Sequence, residues 1–168
     1  MSAVPSELRV PKNAVTVELA LEGRAPRPVE MYLGLQRPHD FHAEDVSDLF
    51  DGPAAFLPAR DVGEGEVVVV RKDAVVWVAF PASPEADELY DERHDVSVEL
   101  RGGARLDGEL LYSPPEGHGR VVDHLNQTGR FVRLWAGERL YLVNAAYIVR
   151  VVERVPARGS DTANDKGS

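Results

Sequence analysis

The sequence predicts an all-β protein in which two small five-stranded barrels follow one another along the chain, with little helix. Short apolar segments alternate in polarity and are separated by turn residues every 8 to 12 residues or so, which is typical of barrels and sandwiches. In addition, the run Val-Thr-Val-Glu-Leu that begins at Val15 returns as Val-Ser-Val-Glu-Leu from Val96. An internal repeat of this kind decides the architecture of a whole chain.

The repeat extends over three blocks that keep their order. The shift between the copies is 81 positions in the first block, 75 in the second and 73 in the third, as the pairs Val15/Val96, Val46/Val121 and Val70/Val143 show. The shift changes in segments rich in proline and glycine, where loops vary in length. The order of the blocks therefore predicts an internal duplication.

The predicted elements divide the chain into five segments. Strands are expected over residues 15–21, 66–71 and 74–80 in the first copy, and over 96–100, 106–112, 131–135, 139–143 and 147–152 in the second. Ser83 is a candidate cap for a short helix, with Pro84 at its first position. The segments are an N-terminal arm (1–13), barrel repeat 1 (14–80), an acidic linker with prolines (81–94), barrel repeat 2 (95–154) and a disordered tail (155–168).

Composition places the chain among globular proteins. It has 168 residues, of which 43% are hydrophobic and 28% are charged. A unit of about 60 residues is marginally stable alone, because it buries only about 60% of its unfolded surface. The two copies are therefore expected to pack together or to pair with another chain.

Charge and cysteine content limit the partners. The absence of cysteine excludes disulfides and thiolate metal sites. No signal peptide or membrane-spanning apolar run is recognisable, so we expect a soluble cytoplasmic protein. With 19 basic and 28 acidic residues the formal charge is −9, which disfavours nucleic-acid binding because phosphates are repelled.

The second copy carries the residues of a family resemblance. The pattern is Val96-x-Val98-x-Leu100-x-x-Gly103, then Gly108-Glu109-Leu110-Leu111, Asp123-x-x-Asn126 and Leu140-x-x-Val143-Asn144. Its order of elements resembles the Sm-like family, which forms small, strongly bent, five-stranded barrels of the SH3-like kind. The resemblance covers residues 96–152 well and 15–80 more loosely. The chain is also similar to a bacterial domain of this general shape, for which the resemblance implies no established activity.

The same resemblance bears on RNA. RNA-binding members of the family use an Asp and Asn loop together with an Arg-Gly pair near the last turn. Here Asp123 and Asn126 stand at a similar place, but the segment from Val143 to Ala146 contains no Arg-Gly pair. The resemblance therefore implies the barrel more directly than it implies RNA recognition.

Two long loops hold the candidate binding residues, because loops on a rigid scaffold often carry function. The candidates for partner binding are His39, Phe41, His42, Pro114, Pro115, His118 and Arg120. His39, His42 and Asp45 are also weak candidates for divalent metal ligands, since imidazole and carboxylate groups bind such ions. No metal and no other cofactor is expected.

Other repeated polar residues receive a structural interpretation. Asp48, Asp123 and Asn126 precede or follow apolar positions between strands, where such side chains hold a turn or cap a helical turn. Arg24 and Arg105 each follow a turn and are candidates to pair with these acids. Trp77 and Trp135 lie on predicted strands and are expected in the core or at a barrel rim.

No catalytic motif is recognisable in the sequence, so the chain is not expected to be an enzyme. The leading hypothesis is a protein-interaction or regulatory scaffold module that binds a protein partner, or itself, through a strand edge and the two long loops. The alternative is a barrel that binds RNA or a small ligand. A metal-dependent enzyme that uses His39 and His42 is the third hypothesis.

Overall fold

The computed structural model describes residues 14–33, 43–84, 86–117 and 119–154, with the backbone alone for residues 43–45 and 86–87. In these ranges, strands alternate with short helical segments. The strands are β1 (Ala14–Leu21), β2 (Arg27–Tyr32), β3 (Phe56–Asp61), β4 (Val67–Arg71), β5 (Val75–Pro81), β6 (Glu92–Leu100), β7 (Arg105–Tyr112), β8 (Phe131–Ala136), β9 (Arg139–Asn144) and β10 (Ile148–Glu153). The helices are α1 (Ala43–Asp51), α2 (Ala86–Leu89) and α3 (Val121–Gln127), and 3₁₀ turns cover Lys72–Ala74, Arg101–Gly103 and Ala145–Tyr147.

All of these strands belong to one antiparallel sheet. Their order is β10-β6-β7-β8-β9-β5-β1-β2-β3-β4, so β10 and β4 form its two ends and the sheet does not close. The prediction of a mainly β protein with little helix is confirmed. The prediction of two separate five-stranded barrels is not, because the backbone of β5 pairs directly with that of β9.

This pairing joins the first half of the chain, residues 14–81, to the second half, residues 92–154. We call it the joint, and it aligns residues 77–81 with residues 143–139 in antiparallel register. The amide of Ala82 continues it by donating to the carbonyl of Glu138 at 2.8 Å. The two halves therefore share one backbone ladder.

Within the sheet the halves have the same strand order. If the strands of each half are numbered one to five along the chain, both halves are arranged 5-1-2-3-4. The boundaries also follow the sequence shifts, since β3 and β8 begin 75 residues apart, at Phe56 and Phe131. The 3₁₀ turns that begin at Lys72 and Ala145 are 73 residues apart.

The helices α1 and α3 occupy the same place in the two halves, between the second and third strands. Val46 and Phe50 are four residues apart on α1 and both are buried, and the Phe50 ring packs edge-on against Phe131 of the second half with centroids 5.4 Å apart. On α3, Val121 is buried and Leu125 is half-buried. The sequence predicts a turn or a helical turn in these segments, because a single apolar i, i+4 pair in each is too short a pattern to indicate a longer helix.

The core consists of two clusters of buried side chains that adjoin at the joint. One contains Val17, Leu19 and Phe80 of the first half, together with Leu140 and Leu142 of the second. The other contains Ala20, Trp77 and Ala79 of the first half with second-half residues such as Val96. Each half thus completes its core with side chains from the other, which meets the expectation that units of this size do not stand alone.

The connection between the halves contains a short helix, as expected, but this helix and the strand after it begin at other residues than predicted. The helix α2 begins at Ala86, beyond the expected start at Pro84, so Ser83 does not lie directly before its first turn. The strand β6 begins at Glu92, because residues 92–95 pair with residues 112–109 of β7. The last three residues of the predicted linker therefore belong to the second half.

The strands β7 and β8 approach each other closely beside Gly108. A Cβ atom at this position would lie 2.6 Å from the carbonyl oxygen of Trp135 and 2.9 Å from Leu134 Cγ. Glycine is therefore required here for space, since any side chain would push the strands apart.

No helix in the described ranges has the length and apolar character that crossing a lipid bilayer requires.

Candidate interaction site

The strand β4 is an open edge of the sheet with two of its valines facing solvent. Val67 is 73% exposed and Val69 is 68% exposed, whereas Val70 is buried in the first core cluster. Phe56, on the neighbouring β3, is 52% exposed and lies under the guanidinium of Arg71, whose carbon is 5.3 Å from the ring centroid. Four successive uncharged valines on an edge strand, here followed by Arg71 at the end of β4, are what another strand pairs with readily.

The hydrogen-bonding direction of β4 follows from two bonds that bracket its pairing with β3. Asp61 donates its amide to the carbonyl of Glu66 at 2.8 Å, and Lys72 donates to Ala55 at 2.9 Å. Bonds alternate along an antiparallel pair, so residues 68 and 70 face β3 and residues 67 and 69 face away from it. Pro58, opposite Val69, agrees with this because proline has no N–H to donate. Among the described residues no strand lies beyond β4, so the edge directs the backbone groups of Val67 and Val69 outward.

The strand β10 is the other open edge. Arg154 donates its amide to Asp95 at 2.8 Å, which makes residues 150 and 152 face β6 and residues 151 and 153 face outward. Val149 is 64% exposed at an irregularity in the pairing with β6. Beside it, the Arg150 guanidinium binds both carboxylate oxygens of Glu99, at 2.9 and 3.0 Å, and this hydrogen bonding lowers the pKa of Glu99.

A cleft of about 680 Å³ lies where the end of α1 meets the second half. Its cations are paired across the two halves, since Arg133 Nη2 is 3.2 Å from Asp51 Oδ2 and Arg130 Nη1 is 3.4 Å from Asp73 Oδ1. The aromatic residues that line it are Phe50, Tyr90, Tyr112, Phe131 and Trp135. The ion pairs therefore hold the halves together at the cleft, and their positive charge is balanced.

Three rings form a stack on one side of this cleft. The rings of Tyr112 and His124 are parallel within 3°, with centroids 4.0 Å apart, and the His94 ring also stacks on Tyr112, with centroids 5.6 Å apart. The Tyr112 hydroxyl donates to the carbonyl of Gly119 at 2.9 Å, which holds the loop before α3. Burial, with a further contribution from His94, lowers the pKa of His124.

Lys72 is a second titratable group in an unusual position, since it is 1% exposed. Its ammonium donates to the carbonyls of Phe50 at 3.1 Å and Gly52 at 2.6 Å, at the C-terminal end of α1. Burial lowers the pKa of this lysine, with a further contribution from Arg130. The contacts give it a structural role, in which it satisfies carbonyls that a helix end leaves without donors.

The predicted partner-binding residues are only partly within the described ranges. His39, Phe41, His42 and His118 lie outside them, and Asp45 lies on α1 with its backbone alone described. Pro115 is exposed and Pro114 half-buried in the loop between β7 and α3. In the same loop, Arg120 makes two hydrogen bonds of 3.0 Å to Asp123. The structure thus places Pro114, Pro115 and Arg120 together, remote in sequence from both open edges.

The repeated polar residues are distributed differently from the expectation. Asp48 lies in α1, and Asp123 and Asn126 lie in α3, in segments where a turn or a capped helical turn was expected. Arg105 binds Asp107 at 3.2 Å rather than Asp123, since Asp107 is two residues along the same strand face. Arg24 lies in the β1–β2 turn, where its amide donates to Leu21. Trp77 and Trp135 are each 8% exposed, as predicted for core residues.

No group of three metal-ligating side chains comes together within the described ranges. Sequence reasoning expected a strand edge to bind but did not identify which one. The four valines at 67–70, without a charge among them, were the signal that distinguishes β4.

Comparisons of the chain with models of protein families, with curated proteins and with solved structures find no match in any of the three.

Proposed function

We propose that the chain is a non-enzymatic protein-interaction or scaffold module that binds a protein partner by adding a strand to the open edge at β4. The exposure of Val67 and Val69 carries this proposal. Strand addition gives affinity through main-chain hydrogen bonds and specificity through alternate side chains, and β4 offers both backbone groups and apolar side chains.

We also propose that the two halves are duplicated copies of one Sm-like or SH3-like unit. Their common strand order and the constant shifts of their boundaries support it. Duplication explains why one chain contains one strand edge that is covered, at β9, and an equivalent edge that is open, at β4.

An RNA- or ligand-binding role is the second candidate, and the cleft between the halves is the place for it. The observed pairing of the basic residues argues against RNA. The guanidinium groups of Arg71, Arg105, Arg120, Arg130 and Arg133 each lie within 3.4 Å of a carboxylate oxygen. Phosphate contacts would have to displace these acids, on a chain whose net charge is −9.

A retention experiment with a matched control tests the proposal. The chain is immobilised and offered an extract of the cells from which it comes together with a labelled copy of itself that carries the same substitutions, so that β4 is blocked in both copies when the edge variant is tested. We expect the wild-type chain to retain a protein that the Val67→Lys/Val69→Lys variant loses by at least tenfold, because two ammonium groups at the edge oppose strand pairing. The control is Val122→Lys, which changes a 51% exposed valine on α3, remote from β4 in sequence.

Equal retention by the wild-type chain and the edge variant, or no retained protein at all, would overturn the proposal. Loss of retention by the Val122→Lys control to the same degree would also count against it, because charge alone would then explain the effect.

A further inference from the structure

The joint shows how an edge equivalent to β4 is covered. By the shift of 73 residues, Val67 corresponds to Leu140 and Val69 corresponds to Leu142. Leu140 is 3% exposed and Leu142 is 1% exposed, because β5 pairs with β9 over them and their side chains enter the first core cluster. At β4 the corresponding valines are 73% and 68% exposed. The same position is thus closed in one half and open in the other.

The strand that closes β9 also has an equivalent. It is β5, and the same shift relates β5 to β10, with Val78 corresponding to Val151 and Phe80 to Glu153. In the part of the chain that the structure describes, one covering strand, β10, therefore has no edge to cover, and one edge, β4, has no covering strand. Within a single chain these two lie at opposite ends of the sheet.

In this register the outward-facing N–H and C=O groups of the two open edges lie opposite one another. In the joint, Val78 lies opposite Leu142 and Phe80 opposite Leu140. Transferred by 73 residues, this alignment sets Val151 opposite Val69 and Glu153 opposite Val67. Each of these four residues has its N–H and C=O directed away from its own sheet, as the bracketing bonds of β4 and β10 require.

Charge agrees with the same alignment. The register sets Arg154 opposite Glu66, because these residues correspond to Pro81 and Arg139, which face each other in the joint. Both Arg154 and Glu66 are exposed in the chain. Oppositely charged residues in directly facing positions favour a strand pair.

We propose that the occupant of β4 is a second copy of this chain, which adds its β10 in the register of the joint, so that the sheet continues head to tail from one copy to the next. This inference rests on the proposed function and specifies its partner. The contact is heterologous, because β4 of one copy meets β10 of another and leaves each copy with one further edge free. Successive contacts build a ring if the rotation between copies closes, and a filament if it does not.

Paired cysteines test both the partner and the register, since the natural chain contains none. The register sets Val68 opposite Val152, by correspondence with Tyr141 and Ala79, at a position without direct hydrogen bonds. Facing residues at such positions have Cα atoms about 4.5 Å apart, within the range that a disulfide spans. One chain carries Val68→Cys and another, with a small mass tag, carries Val152→Cys.

Oxidation of the equimolar mixture is expected to give the disulfide-linked pair of unlike chains as the main product, at least tenfold more abundant than either pair of like chains. The matched control is Glu153→Cys in place of Val152→Cys, which turns the thiol to the opposite face of the sheet and should reduce linkage at least tenfold. Thermal unfolding of each variant is compared with that of the parent chain to establish that the fold is retained.

A main product of two Val68→Cys chains would show a two-fold contact of β4 with β4 and would overturn the proposal. So would equal linkage by the Glu153→Cys control, or a wild-type chain that light scattering finds monomeric up to millimolar concentration. If linkage fails while the wild-type chain still retains a different protein through Val67 and Val69, the proposed function stands and its partner is another protein. If both experiments fail, the proposed function fails as well.

Discussion

His124 connects the chemistry of one residue to the pH dependence of the whole protein. Its ring is stacked on Tyr112 and partly buried, and burial lowers its pKa below the ordinary value of about 6.5. The unfolded chain therefore binds a proton more readily than the folded chain does between these two pKa values. In that interval the free energy of unfolding must fall as the pH is lowered.

We predict that replacing His124 with glutamine removes part of this pH dependence. Urea unfolding of the wild-type chain should show lower stability at pH 5.5 than at pH 7.5, and the His124→Gln variant should show a smaller difference. The carboxyl groups with lowered pKa values, Asp61, Glu99 and Asp107, contribute little to this difference, because the ordinary pKa values of Asp and Glu, about 3.9 and 4.3, lie more than one unit below pH 5.5. An identical pH dependence in the two proteins would contradict the assignment.

At the scale of single residues the sequence was informative about burial and less informative about partners. Trp77 and Trp135 were expected in the core because aromatic residues on strands are usually buried, and they are. Arg105 was expected to find an acid in a distant loop, but the nearer carboxylate of Asp107 binds it. Residues two apart on a strand lie on the same face, so Asp107 was the nearer partner by strand geometry.

Among the elements, α1 shows how a short helix is held by its surroundings. A nine-residue helix is marginal on its own, and α1 gains stability from the burial of Val46 and Phe50 and from the ammonium of Lys72 at its C-terminal end. A cation near the last carbonyls of a helix also interacts favourably with the helix dipole.

We predict that Lys72→Met lowers the free energy of unfolding by about 1 to 3 kcal/mol, because the carbonyls of Phe50 and Gly52 lose their donor in a buried place. Methionine keeps most of the apolar stem, so the effect reports the ammonium. Chemical denaturation measures it, and Arg71→Met, at an exposed neighbouring position, should change stability by no more than about 0.5 kcal/mol. A Lys72→Met protein as stable as the wild type would refute this role.

Eight of the described strands and the short helix between the halves were predicted, whereas β2, β3, α1 and α3 were not. Pro28 and Pro58 interrupt the strand pattern of β2 and β3, and the helical pattern of α1 and α3 is short. Alternation over residues 15–21 and 96–100 carries several apolar positions in period two, and the observed strands β1 and β6 include both segments. By contrast, α1 and α3 contain one apolar i, i+4 pair each, as in Val46 and Phe50. The helical period becomes visible only when a tertiary contact such as that of Phe50 with Phe131 is known.

In the whole molecule, the repeat in the sequence predicted recurring elements but not how the two halves meet. We expected two barrels because each copy contains enough strands to close on itself. Instead β5 pairs with β9, and Leu140 and Leu142 fill the core of the first half. Which of two compatible edges a strand joins depends on long-range pairing, and a pattern within one segment does not encode it.

The joint also shows that the two ends of the sheet are unlike. The end strand β10 is equivalent to β5, which pairs with β9 in the joint. The end strand β4 is equivalent to β9. We propose that a protein with two such ends binds copies of itself in one orientation. Assembly is then expected to require one intact end from each of two chains.

Light scattering of two edge-blocked variants tests this claim most directly. Val69→Pro and Glu153→Pro each remove one outward-facing N–H, at β4 and β10 respectively, and neither N–H takes part in pairing within the chain. We predict that each variant alone is a monomer at a concentration where the wild-type chain assembles, and that their equimolar mixture has the mass of two chains and no more. A variant that assembles on its own as the wild type does, or a mixture that remains monomeric, would contradict the account.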